Sequence, residues 1–139
     1  PATPVVVDTP AGRLGLSVCY DLRFSWMYRE MAHRGAQIFL VPSAFTMRTG
    51  SIHWELLLRA RAVESVTYCL AAAQSGTHCP GRHSWGRSMA IDPFGAVIGQ
   101  RPEGAGLVIV DVDLQRLSEL RERLPVLDHD RGPKPWKQG

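Results

Sequence analysis

Cys19 is placed to act as a nucleophile. It sits in the stretch Gly12–Phe24, Gly-Arg-Leu-Gly-Leu-Ser-Val-Cys-Tyr-Asp-Leu-Arg-Phe. Leu14, Leu16 and Val18 alternate with Arg13, Gly15 and Ser17, the two-residue period of a strand. Beyond Asp21-Leu22-Arg23-Phe24, Ser25 suits an N-cap, and Met27, Tyr28 and Met31 follow at helical spacing. Cys19 therefore falls between a strand end and a helix start. Partial positive charge at a helix N-terminus favours thiolate, the form that attacks a carbonyl or nitrile carbon. A structural cysteine buried at the end of a core strand explains the same position, and position alone leaves both open. Cys19 shares a face with Gly15 and Ser17, whose small side chains leave room for close packing or for a substrate. His53 or His78 could activate it in a papain-like pair.

The other reactive groups carry less. His78, Cys79 and His83 share one loop, but structural zinc needs four ligands and usually C-x2-4-C spacing, so no metal is assigned. No glycine-rich loop follows a strand, and no cofactor is assigned. Asp111 and Asp113 share one face of an expected strand, and an exposed edge accounts for them.

The elements that must hold Cys19 follow from periodicity and punctuation. Val5–Val7 and Arg13–Val18 read as a hairpin around Asp8-Thr9-Pro10-Ala11-Gly12. The helix after Cys19 should end at Gly35. Gln37–Val41 is a buried strand stopped by Pro42. Strand, helix and strand make a right-handed crossover, so the two strands should be parallel. The loop Pro42–Gly50 then leaves the sheet at the same edge as Cys19, the carboxyl edge where open α/β sheets bind ligands. Ser43, Ala44, Phe45 and Thr46 should line a substrate pocket there, with Phe45 as an apolar wall. Arg48, or Arg87 further on, is positioned to pair with a substrate carboxylate.

A second helix is expected from Ser51 or Ile52 to Ser65, with Ile52, Leu56, Leu57, Ala60 and Val63 as its apolar stripe. Glu55, Arg59, Arg61 and Glu64 would form its solvated face, paired one turn apart. Thr67–Gln74 is the next strand, with Cys69 in the core. Ser75–Arg87 reads as a loop, Ser88–Asp92 and Ala96–Gln100 as a hairpin, Leu107–Asp113 as a strand and Leu114–Leu124 as a helix. The fold class is α/β. Residues 1–127 form one domain or part of one, and 128–139 a polar, proline-containing arm or disordered tail.

At 139 residues with a net charge of +3, the chain can bury a core without disulfide staples. Three cysteines without framework spacing fit a reducing compartment, the cytoplasm or the mitochondrion. Scattered arginines give no nucleic-acid stripe, and no apolar run is long enough to span a bilayer.

Five motifs, in order, resemble the nitrilase superfamily: Cys19 to Phe24, Pro42-Ser43-Ala44-Phe45, His53 to Glu64, Ala71-Ala72-Ala73-Gln74, and Ser88 to Gly95. Within it they resemble the Nit amidase branch, which includes deaminated glutathione amidases and omega-amidases. The resemblance spans about Pro10 to Arg131. One departure is Ser-Trp-Gly-Arg-Ser-Met at 84–89, where the Nit pattern has Ser-Tyr-Gly-His-Ser-Met in a loop near the substrate.

The resemblance implies a four-layer α-β-β-α sandwich and a Cys-Glu-Lys catalytic set. Cys19 matches the nucleophile, and the backbone N–H of Tyr20 an oxyanion donor. The family's Glu and Lys precede the cysteine, yet no Lys or Glu lies among residues 1–18, and the two lysines are Lys134 and Lys137. The chain thus resembles the C-terminal half of the family domain, with the N-terminal half as its missing partner. The expectation is an amidase that cleaves a small carboxylate-bearing amide to acid and ammonia. A nitrilase or N-carbamoyl hydrolase is the alternative within the superfamily. A catalytically dead chain acting as an interaction module is the alternative outside it. The resemblance also implies a homo-oligomer, with Trp26, Met27 and Trp54 as candidate contacts on the helices that meet across a two-fold axis.

Overall fold

The computed structural model describes residues 3–132. The first hairpin forms as its alternation requires. β1 (Val5–Thr9) pairs antiparallel with β2 (Gly12–Leu16). Residues Cys19–Arg23 form a 3-10 turn, which leads into α1 (Ser25–His33). Ser25 is the first residue of that helix, and Phe24 is its N-cap. β3 (Ile38–Leu40) returns parallel to β2, and β4 (Tyr68–Ala71) lies parallel to β3 after α2 (Met47–Ser65). Register aligns Gly15, Phe39 and Cys69 across the three strands.

β5 (Ser75–Cys79) and β6 (Arg82–Trp85) form a separate two-stranded hairpin. β7 (Ser88–Ile91) and β8 (Val97–Arg101) complete the main sheet, in the order β1-β2-β3-β4-β7-β8. α3 (Leu114–Arg123) follows, capped by the Asp113 carboxylate, which accepts from the Arg116 N–H at 2.8 Å.

Strand alternation divides the core between two faces. Phe39, Cys69 and Ile91 join Tyr28 and Met31 of α1 and Trp54, Leu58 and Ala62 of α2 in one buried cluster. Ile38 and Tyr68 point the other way and pack with Leu117 of α3. Gly15 answers one question its position left open. A Cβ there would lie 2.9 Å from Phe39 and 3.0 Å from the Met31 sulfur, so the small residue serves close packing.

Several expectations need correction. α2 starts at Met47, so Arg48 belongs to its first turn and not to the preceding loop. Its buried face carries Trp54, Leu58, Arg61, Ala62 and Ser65. Ile52, Leu56 and Val63 of the expected stripe are exposed. The helix has apolar residues on two sides, and the sheet selects the one whose bulk fits against Phe45 and β4. Trp54, a candidate contact between copies, is fully buried there, and its Nε1 donates to the Arg87 carbonyl at 2.7 Å. Arg61 is buried rather than solvated.

Ser75–Arg87 is a hairpin turned at Pro80-Gly81, where the left-handed φ of +78° suits glycine. Leu107–Asp113 carries no ladder among the described residues, although Val108 and Val110 crowd Gly99 of β8. Leu107 and Ile109 stand exposed on its other side. The described part of the expected tail is tied down. The Asp130 carboxylate meets His33 at 3.0 Å and Arg29 at 3.2 Å on α1. Lys134 and Lys137 lie outside the described residues.

Candidate active site

The strand-turn junction bends sharply at Cys19. Its φ is +48°, in the left-handed region that a side chain with a Cβ rarely enters. Such a backbone costs on the order of 1–3 kcal/mol and persists only where neighbours hold it. The Cys19 N–H donates to the Pro42 carbonyl at 2.9 Å, continuing the parallel β2–β3 ladder past its last paired residues. The Val18 N–H donates to the Asp21 carboxylate at 2.8 Å, and the Asp21 N–H returns to the Val18 carbonyl at 3.0 Å. The Tyr20 N–H lies in the first turn of this short helix, where an amide has no intrahelical acceptor.

Cys19 is half-buried and lines a cavity of about 770 Å³. Its walls come from the carboxyl ends of three neighbouring strands and from the later loops. Val18, Cys19, Ser43, Ala44, Ala73, Gln74, Ser75, His78 and Ser88 contribute, with Gly104–Gly106. The ladder beyond the strands fixes these walls. The Ser43 N–H donates to the Ala72 carbonyl and the Gln74 N–H to the Ser43 carbonyl, each at 2.9 Å. The Ser88 hydroxyl accepts from the Ala73 N–H at 2.9 Å.

The other two cysteines differ in kind. Cys69 is fully buried, and burial pushes its thiol up to about 12. Cys79 is exposed on β5, outside the cavity lining. Cys19 alone combines access, a cavity and a strained turn.

The sequence matches the carbon-nitrogen hydrolase family model over residues 2–122. The chain belongs to the carbon-nitrogen hydrolase family. A deaminated glutathione amidase of Yersinia enterocolitica is 48% identical over 126 residues, covering 91% of this chain and 44% of its own length. The structure of the Caenorhabditis elegans NitFhit protein superposes with a TM-score of 0.91 at 50% identity, covering 94% of this chain and 32% of that one. An amidase from Nesterenkonia sp. AN1, with acrylamide joined to its active-site cysteine by Michael addition, superposes with a TM-score of 0.72 at 34% identity. It covers 90% of this chain and 48% of that amidase. This carbon-nitrogen hydrolase chain thus has the nitrilase-superfamily α/β fold, and spans less than half the length of each of these three relatives.

Of the residues singled out in the hydrolase sequence, Cys19, Ser43, Ala44 and His78 meet at the cavity, and Tyr20 lies outside its lining. Phe45 does not wall it. Its ring lies buried 5.0 Å from that of Trp54, because the chain turns inward there to start α2. Thr46 and Arg48 are exposed outside the lining. Arg87 also lies outside it, with a φ of +61° and its guanidinium 5.0 Å from the Trp85 ring centroid. His53 faces Arg23, at 3.1 Å, and does not line the cavity. His78 does, with Nε2 2.7 Å from the Ser84 hydroxyl.

Sequence reasoning missed the far wall, Gln74, Ser75, Ser88 and Gly104–Gly106, and the hairpin that delivers His78. The Ala71–Gln74 motif was the available signal. It ends β4 at the same sheet edge as Cys19.

Proposed function

We propose that this chain supplies the nucleophile and part of the substrate pocket of an amidase of the deaminated glutathione type. One observation carries the reading: a half-exposed cysteine held at φ +48° at the carboxyl edge, over a cavity of about 770 Å³. The Cys19 thiolate attacks the amide carbon, a C–S bond forms, and the carbonyl electrons move to oxygen. The Tyr20 N–H serves as one donor to that oxyanion. Collapse re-forms the carbonyl and breaks the C–N bond, and the leaving nitrogen takes a proton to depart as ammonia. Water then hydrolyses the thioester, returning the thiol and releasing the acid. Small and polar side chains at Ser43, Ala44, Gln74, Ser75 and Ser88 suit a slender amide.

The Glu and Lys partners that the resemblance implies are not among the described residues of the cavity wall. His78 is the one histidine on that wall, and among the described residues no Asp, Glu, Lys or Arg contributes. This supports a second statement of the same proposal: the Glu and Lys implied by the resemblance come from residues outside this sequence, and the 139-residue chain alone is inactive. The exposed face of Trp26, Ile52, Leu56 and Val63 is proposed to meet a second copy.

The test compares the chain with the longer protein that contains it, measuring ammonia release from deaminated glutathione, other short ω-amides, nitriles and N-carbamoyl compounds. Release from the amides by the longer protein, with the chain at least a hundredfold slower, is expected. Equal activity of the chain would make His78 the base, and preference for nitriles would overturn the substrate class.

A further inference from the structure

The geometry points to Arg61 of α2 as a positioning residue that holds the nucleophile turn from behind. The inference rests on the reading of Cys19 as nucleophile, and deepens it. Arg61 is buried to 5% exposure, and its Nε donates to the Leu22 carbonyl at 3.0 Å. One of its terminal nitrogens donates to the Arg23 carbonyl at 3.4 Å. These two carbonyls close the 3-10 turn that opens at Cys19, where orphan acceptors need partners. The other terminal nitrogen meets Glu64 at 3.0 Å.

The same guanidinium reaches the other side of Cys19 through one ring. Its carbon lies 5.7 Å from the Tyr28 ring centroid. The Tyr28 hydroxyl donates to Ser17 at 2.7 Å, and Ser17 donates to the Leu40 carbonyl at 2.9 Å. Arg61 therefore brackets the bend, with Leu22 and Arg23 after Cys19 and Ser17 before it. A buried cation is a poor choice for packing alone, since a hydrophobic side chain of similar volume fills such a site as well. Its geometry suits a different task. A planar fork satisfies two carbonyls at fixed angles, which a lysine ammonium on a flexible stem does not. Held this way, the turn keeps Cys19 left-handed on the cavity wall.

The experiment uses the longer protein and reads kcat and KM for ammonia release, together with the rate of Cys19 alkylation by acrylamide. Arg61→Lys is expected to lower kcat about 10- to 100-fold with KM within about twofold, because a small misplacement of reacting groups lowers rate rather than affinity. Alkylation should slow alongside. Tyr28→Phe, which deletes only the link to Ser17, should lower kcat about threefold or more. Glu64→Gln leaves both carbonyl contacts intact and should keep kcat within about twofold. Wild-type kcat in folded Arg61→Lys overturns the inference, as does a loss in Glu64→Gln equal to that in Arg61→Lys. If Arg61→Lys does not fold, Tyr28→Phe decides alone, and unchanged kcat there overturns it. If the wild-type protein releases no ammonia, the proposed function falls and the alkylation rates judge Arg61 by themselves.

Discussion

Replacing Gly50 by alanine sets two physical effects against each other. Gly50 lies in the first turns of α2 and is buried. Within a helix, alanine is favoured over glycine by about 1 kcal/mol. The structure opposes that gain. A Cβ at Gly50 would stand 2.3 Å from the Trp85 Cβ and 2.4 Å from its Cγ. Carbon atoms pack at about 3.5–4.0 Å, so strand β6 must retreat by roughly 1.2 Å or more. The nearest atom is part of the strand's own frame, and no rotamer change removes it. Overpacking of this kind costs about 1–3 kcal/mol. Taking the upper end for so close an approach leaves Gly50→Ala destabilised by about 2 kcal/mol. The displacement also moves Ser84, which bridges to Thr46 and bonds His78 on the cavity wall. Urea unfolding of the longer protein measures the first effect, and KM for the amide the second. In a Trp85→Gly background the penalty should vanish and the helix gain appear. A Gly50→Ala protein as stable as wild type would refute the packing argument.

Cys19→Ala should abolish turnover while the urea midpoint stays put, whereas Cys69→Ala should cost about 1 kcal/mol and spare activity. Iodoacetamide mapping at pH 8 should find Cys19 and Cys79 modified in the native protein and Cys69 only after unfolding. Hydrogen bonding from His33, then the Gly132 N–H, with Arg29 adding attraction, holds the Asp130 carboxyl below its ordinary range. A depressed carboxyl stabilises the fold above its unfolded value near 4, and that contribution is lost as pH falls through the folded value. Asp130→Asn should therefore lower the urea midpoint at pH 7, and the gap to wild type should close as pH falls below the ordinary carboxyl value and through the folded one. Arg48→Ala should leave KM within about twofold, since its side chain stands outside the cavity. Light scattering of the longer protein should give at least a dimer mass at micromolar concentration, and a monomer would reject the proposed contact face.

The order of elements around Cys19 was legible because each rests on local chemistry. Alternation in Arg13–Val18 marks a strand whatever lies beside it, and a βαβ crossover has essentially one hand. Those two facts bring the ends of β2 and β3 to one sheet edge, and so bring Cys19 to Ser43 and Ala44. The core position of Cys69 was legible for the same reason.

Tertiary structure decided what depends on choosing between locally equal options. α2 carries apolar residues on two sides, and only contact with β4 and Phe45 shows that Trp54 and Leu58 face inward while Ile52 and Leu56 do not. Arg61 reads as one more solvated helix charge, because its partners at Leu22 and Arg23 are backbone carbonyls, which leave no mark in side-chain sequence. Phe45 and Ala44 are neighbours, yet one enters the core and the other lines the cavity, as successive side chains must when a chain leaves a sheet edge. The bend at Cys19 is the clearest case. A cysteine with φ of +48° violates its own backbone preference, and the bond to Pro42, distant in the chain, joins the local Val18–Asp21 bonds in holding it there.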